Sequence, residues 1–273
     1  TMTGSTNNDR FTSKRTYSTL KRQGGSYFNY ASGFENVTAD VSGGGGIDLA
    51  FLYDDTTDDA FTAGPTQATF DYDQPGSPGV DTTIVGFSNV YAYAIYGGND
   101  IAILNGSAGA DKYYGLASYS YLKTVDDSFF NYVRGFDAVT ANAVGTGDLA
   151  FLYDSDGNDV LSASPNSATF TLIPTSGGQV VNTAAAFDQV YGYASGEGTD
   201  TAHLYGTTGP DRLTADADWG ILRSKGSDDY LNYIRYFDEV FADPGDDELG
   251  NDLLDDRGAT YALNTDPGNG NVW

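Results

Sequence analysis

Nine aspartates recur at or near the ends of glycine-rich turns, and carboxylate with carbonyl oxygen is the donor set that calcium takes. The turns GGID, GGND, GTGD and EGTD close at Asp48, Asp100, Asp148 and Asp200. Eleven residues beyond each stands a second aspartate, at Asp59, Asp111, Asp159 and Asp211, and Asp156 opens the turn DGND that ends at Asp159. Glycine lets such a turn close sharply with its carbonyls on one side. Stacked above one another, like carboxylates repel, and a cation between them relieves the repulsion. Calcium is therefore the expected cofactor. The competing reading is that Asp and Gly simply close solvated turns.

Basic and aromatic residues form the second set with chemical potential. Arg10, Lys112 and Arg212 follow equivalent turn aspartates, Lys21, Lys123 and Arg223 form another series, and Arg134 and Arg235 a third. Ion pairing to neighbouring Asp is their ordinary use; a stripe gripping an acidic polysaccharide is the functional one. Tyr53 and Tyr153, with Tyr91, Tyr93, Tyr191 and Tyr193, recur at strand positions expected to face outward, where rings could stack on sugars, on another chain, or only on each other. His203 is the sole histidine, so no complete Ser-His-Asp triad or multi-histidine metal site can be assembled. No catalytic residue is singled out, and a lyase using Tyr, Lys or Arg without histidine is the enzymatic alternative.

Composition narrows the setting. Thirty-eight acidic against thirteen basic residues give a net charge of -25, which repels nucleic acid and anionic membranes. Cations, neutral glycans and other proteins are the expected partners, at an extracellular or cell-surface location. Cysteine is absent, so neither disulfides nor zinc-thiolate sites support the fold. No apolar run approaches the roughly 18 residues of a membrane span. Thirty-five Gly, twenty-one Tyr and fifteen Phe, with few Leu, Glu or Lys, favour short strands joined by turns over helices. The class is all-β.

These residues are positioned by a repeat. F-x-x-V-x-A/G begins at Phe34, Phe87, Phe136, Phe187 and Phe237, and D-x-A-x-L follows the first four, at Asp48, Asp100, Asp148 and Asp200. The period near 50 alternates between an A type, with LAFLYD at 49 to 54 and again at 149 to 154, and a B type carrying Tyr-x-Tyr and Asn-Tyr. The expected organisation is one repeat domain over 1–273, with half-units 1–33 (partial B), 34–86 (A), 87–135 (B), 136–186 (A), 187–236 (B) and 237–273 (shortened A or cap). The chain thus opens inside a unit, and the short final copy ending in Asn271, Val272 and Trp273 could serve as a cap or a docking surface. Alternation puts Ala and Leu of D-x-A-x-L, and Val and Ala of F-x-x-V-x-A, toward the core. The expected fold is a parallel β-solenoid of about five half-units; a β-propeller is the alternative, because a period near 50 also suits a blade.

The stretch GTGDLAFLYDSDGNDVL, Gly145 to Leu161, resembles the RTX or haemolysin-type nonapeptide repeats, which implies a calcium-bound parallel β-roll. Its aspartate turns, however, alternate between spacings of 11 and about 40 residues instead of nine. Nearly the whole chain also looks like the long F-x-x-V-x-A…D-x-A-x-L-Y-D-S-x-G-N-D arrays of large secreted bacterial, planctomycete-type proteins, which implies secretion without a known activity. The expected function is an extracellular structural or adhesive module stabilised by calcium, self-associating head to tail or bound to other surface proteins. A polysaccharide-binding module or polysaccharide lyase is the alternative.

Overall fold

The computed structural model describes residues 1–73, 81–226, 229–245 and 252–265. Asn271 to Trp273, the expected cap, lie outside the described residues. The fold is an all-β parallel solenoid without a helix among the described residues. Strands of one sheet pair in parallel with strands one coil away, which excludes the β-propeller, whose blades are built from neighbouring antiparallel strands. The chain divides into two compact units, 1–107 with 118–140, and 108–117 with 141–273.

The first unit contains β1 (Met2–Thr3), β2 (Asp9–Lys14), β3 (Tyr17–Arg22), β4 (Phe28–Ser32), β5 (Asn36–Asp40), β6 (Leu49–Tyr53), β7 (Ala60–Ala63), β8 (Gln67–Asp71), β9 (Asp81–Val85), β10 (Asn89–Tyr93) and β11 (Ile101–Asn105). After β12 (Asp111–Gly115), which belongs to the second unit, it resumes with β13 (Tyr119–Thr124) and β14 (Phe130–Arg134). Sheet 1 of this unit runs β1-β5-β9-β8-β7-β11, and sheet 2 runs β4-β3-β2-β6-β10-β14-β13.

The division between units falls within β15 (Ala138–Asn142). The second unit goes on through β16 (Leu149–Tyr153), β17 (Val160–Ser164), β18 (Ser167–Leu172), β19 (Val180–Ala185), β20 (Gln189–Tyr193), β21 (Thr201–Tyr205), β22 (Asp211–Asp216), β23 (Trp219–Ser224), β24 (Leu231–Arg235), β25 (Glu239–Asp243), β26 (Leu253–Asp256) and β27 (Ala262–Asn264). Its sheet 1 runs β19-β18-β17-β21-β25-β27 and its sheet 2 β12-β16-β20-β24-β23-β22-β26.

Each of the four complete half-units is one five-strand module, and successive half-units exchange the sheets. In the A type at 34–86, β5 lies in sheet 1, β6 in sheet 2, and the antiparallel β7-β8-β9 meander in sheet 1. The following B type begins with β10 in sheet 2 and β11 in sheet 1. Each meander enters its sheet two strand positions ahead and steps back, so β9 pairs in parallel with β5 while β7 offers its far edge to β11. Vertical partners are therefore nearer in sequence than the repeat: Leu49 pairs with Asn89, and Asn89 with Phe130, steps of 40 and 41 residues.

The core lies between the sheets. Ala50, Leu52, Leu104, Ala150, Leu152, Ala202 and Leu204 are fully buried, as the two-residue alternation requires, and Val90, Val139, Val190 and Val240 are buried beside them. Phe87, Phe136, Phe187 and Phe237 are buried, whereas Phe34, in the first copy, is 62% exposed. Phe51, Ile103, Phe151 and His203 point outward and are half-buried by neighbouring rungs.

Candidate functional site

The turn aspartates meet at the corners where parallel strands enter a sheet, and they are inside the protein. Asp48, Asp59, Asp100, Asp111, Asp148, Asp159, Asp200 and Asp211 are at most 4% exposed, as is Asp9, and only Asp156 of the nine predicted positions is at the surface. Burial at this level makes every carboxylate oxygen demand a partner.

The partners are backbone amides of the adjacent coil. In sheet 1 of the first unit, the Asp59 amide donates to Asp100 Oδ1 (2.8 Å) and the Asp100 amide to Asp137 Oδ2 (2.8 Å). The Asp9 amide donates to Asp48 Oδ1 at 2.6 Å. The second unit repeats the arrangement: Asp111 to Asp148 (2.7 Å) and Asp148 to Asp188 (2.9 Å), Asp159 to Asp200 and Asp200 to Asp238 (both 2.8 Å), and Asp211 to Asp252 (2.7 Å). Parallel neighbours enter a sheet at the same corner, so one residue type at each entry produces a vertical column.

The first aspartate of a column also closes its own turn. Asp9, Asp59, Asp159 and Asp211 accept the amide four residues earlier, from Ser5, Asp55, Ser155 and Thr207. Tyr27 and Tyr230 donate their hydroxyls to Asp9 and Asp211, at 2.6 and 2.8 Å. Desolvation, reinforced by that bond, pushes the Tyr27 phenol up to about 12. Glycine is obligatory where one coil crosses another: Gly98 and Gly198 have φ of +126° and +119°, and a Cβ on either would lie 2.1 Å from a carbonyl oxygen, of Thr57 or Gly157.

Desolvation raises the carboxylates that have few donors. Asp59 is pushed up to about 7, and Asp100 and Asp200 to about 6, with neighbouring carboxylates adding to the effect. Asp48, Asp54, Asp148 and Asp154 are raised by the same cause, while Asp156 is lowered by hydrogen bonds from Thr175. Asp54 Oδ1, Asp59 Oδ1 and Asp148 Oδ2 are buried without a hydrogen-bond partner among the described residues. No three His, Cys, Asp or Glu among the described residues come together as a group able to hold a metal ion.

The outward tyrosines form ladders on sheet 2 of both units. Phe51 stacks on Tyr91 (5.1 Å, 9°) and Tyr53 on Tyr93 (5.0 Å, 13°); Phe151 and Tyr153 stack in the same way on Tyr191 and Tyr193. Arg10 lies over the Phe51 ring at 4.3 Å, Arg212 pairs with Asp255 at 2.7 Å, and Lys112 has no ion pair among the described residues. Ion pairing thus accounts for one of these three. His203 stacks on Phe241 at 4.9 Å.

Asp137, Asp188 and Asp238 complete the columns but were not among the expected residues. Their signal was the acid following Phe in four of the five F-x-x-V copies, Glu35 after Phe34 and Asp after Phe136, Phe187 and Phe237. Asn131 and Asn232, markers of the B type, are buried and donate to the carbonyls of Gly64 (3.1 Å) and Ser164 (3.2 Å), tying each meander to the opposite sheet. No family model, curated protein or solved structure matches the chain.

Proposed function

We propose that the protein is an extracellular structural and adhesive module, a stiff solenoid whose coils are locked together by aspartate columns. One observation carries this reading: the turn carboxylates that recur through the sequence, Asp156 excepted, are buried inside the protein, where they accept amides from the preceding coil or their own turn. Residues spent this way serve shape.

Calcium enters this proposal as a stabiliser of charge. With a net charge of -25 and no nest of three carboxylates among the described residues, its effect belongs to the weak, millimolar range of extracellular modules. Negative-stain imaging and sedimentation of concentrated protein, with millimolar calcium and with chelator, test the reading. Elongated end-to-end assemblies are expected in calcium; compact monomers under both conditions would overturn self-association.

A further inference from the structure

We infer that the outer face of sheet 2 in the first unit binds an acidic polysaccharide, in a groove walled by tyrosine and phenylalanine rings and flanked by cations. The inference rests on the adhesive reading above and names its partner.

The chain's cations are segregated by sheet. In each unit every Lys and Arg falls on sheet 2 or on a turn that begins or ends one of its strands. On sheet 2 of the first unit the outward positions of β2, β3, β6, β10, β13 and β14 hold no acidic residue. The outward face of sheet 1 in that unit holds no cation and carries Asp40, Asp71 and Asp81. With thirty-eight acids in the sequence, a set of outward strand positions without one, carrying Arg10, Lys14, Lys21, Lys123 and Arg134, is a local inversion of the protein's field. Such a patch attracts the anions that the rest of the surface repels.

Ring geometry locates the binding point. Along β6 and β10 the rings lie nearly parallel and cover one another's faces, leaving mainly edges for a ligand. At β14 the stack breaks, because Tyr132 is tilted 48° to Tyr91 and 55° to Tyr93, and Phe130 is tilted 53° to Tyr91. On β13 Tyr119 stacks on Tyr132 (5.6 Å, 23°), while Tyr121 is tilted against Phe130 (5.4 Å, 36°). The result is an open groove of about 500 Å³ with exposed ring surface on its walls. That is ample for one or two pyranose rings, whose apolar C–H faces pack on aromatic rings while their hydroxyls need polar partners. Asn89, Lys123 and Asp127 stand at the rim to supply them.

Two cations select an acidic sugar. Arg134 is exposed and has no ion pair among the described residues. Lys123 pairs at 2.7 Å with Asp127, whose side chain is 73% exposed; a solvated pair of this kind exchanges readily for a ligand carboxylate or sulfate.

Calorimetric titration of the full chain with alginate oligosaccharides, dextran sulfate, neutral dextran and oligo-dT tests the inference, beside light scattering of the protein alone. Alginate or dextran sulfate should bind, dextran should not, and rising salt should weaken binding. The double variant Lys123→Glu/Arg134→Glu should lose affinity on the order of ten-fold or more with an unchanged melting temperature. Tyr121→Ala/Tyr132→Ala should lose it as well. Failure of both acidic glycans to bind, equal binding of dextran, or tighter binding of oligo-dT would each overturn the inference. So would light scattering that shows a dimer abolished by the charge reversals, since a second copy would then occupy the face. Assembly that persists while glycan binding fails would leave the structural reading standing and remove this one alone.

Discussion

The backbone amide of Asp59 donates a 2.8 Å hydrogen bond to the carboxylate of Asp100, forty-one residues further along and one coil away. Both residues are buried, and the same bond recurs between Asp159 and Asp200. A link of this kind ties a turn in one coil to a turn in the next, outside the regular strand ladder. The amides of Asp59, Asp111, Asp159 and Asp211 should therefore exchange with deuterium as slowly as strand interiors, not at the rate of turns. Residue-resolved hydrogen exchange checks this; turn-like rates at these amides would mean that the columns do not persist in solution.

Asp59, raised to about 7, and Asp100 and Asp200, raised to about 6, bind protons more tightly folded than unfolded. Their contribution to stability is fully present below the unfolded value near 3.8 and is lost as pH rises through 6 to 7. Melting temperature should fall by several degrees between pH 5 and pH 8 in chelator. Millimolar calcium should recover more of that loss at pH 8 than sodium chloride of equal ionic strength, and little at pH 5. Differential scanning calorimetry across the four conditions provides the check.

The position before each Phe of F-x-x-V adopts a left-handed conformation, with φ of 72°, 81° and 83° at Gly33, Gly86 and Gly135. Ala186 and Tyr236 hold equivalent positions at 61° and 69°. A side chain with this backbone is strained, so Ala186→Gly should stabilise the fold by about 0.5–1 kcal/mol. Gly98→Ala should destabilise it by at least about 1 kcal/mol, because its Cβ meets the Thr57 carbonyl. Urea unfolding of the two variants measures both, and the opposite signs guard against a general effect of substitution.

Much of this fold was legible in advance. The alternation of Asp48, Ala50 and Leu52 gave strand and facing together, because a period of two has one solution once the small residues repeat. The vertical register was hidden: the repeat aligns equivalent strands about 50 residues apart, whereas β6, the second strand of its half-unit, pairs with β10, the first strand of the next, so the partner of Leu49 is Asn89. Burial of the aspartates was hidden for a different reason. A Gly-x-Asp turn reads the same whether its carboxylate faces water or an amide of the next coil, and only stacking places Asp100 over Asp59. The charge segregation likewise depended on knowing that Lys14 and Lys123 share a sheet from which Asp40 and Asp81 are absent.

Replacing Asp200 tests most directly whether these carboxylates act as hydrogen-bond acceptors within the fold. Asparagine keeps the oxygen that the Asp159 amide meets at 2.8 Å and removes the charge; alanine removes both. Urea unfolding at pH 8 with calcium present should find Asp200→Asn at least as stable as the parent, since the desolvated charge is gone, and Asp200→Ala less stable by about 1–3 kcal/mol from the orphaned amide. Equal losses in the two variants would show that the charge itself is what the fold requires, and would contradict the account.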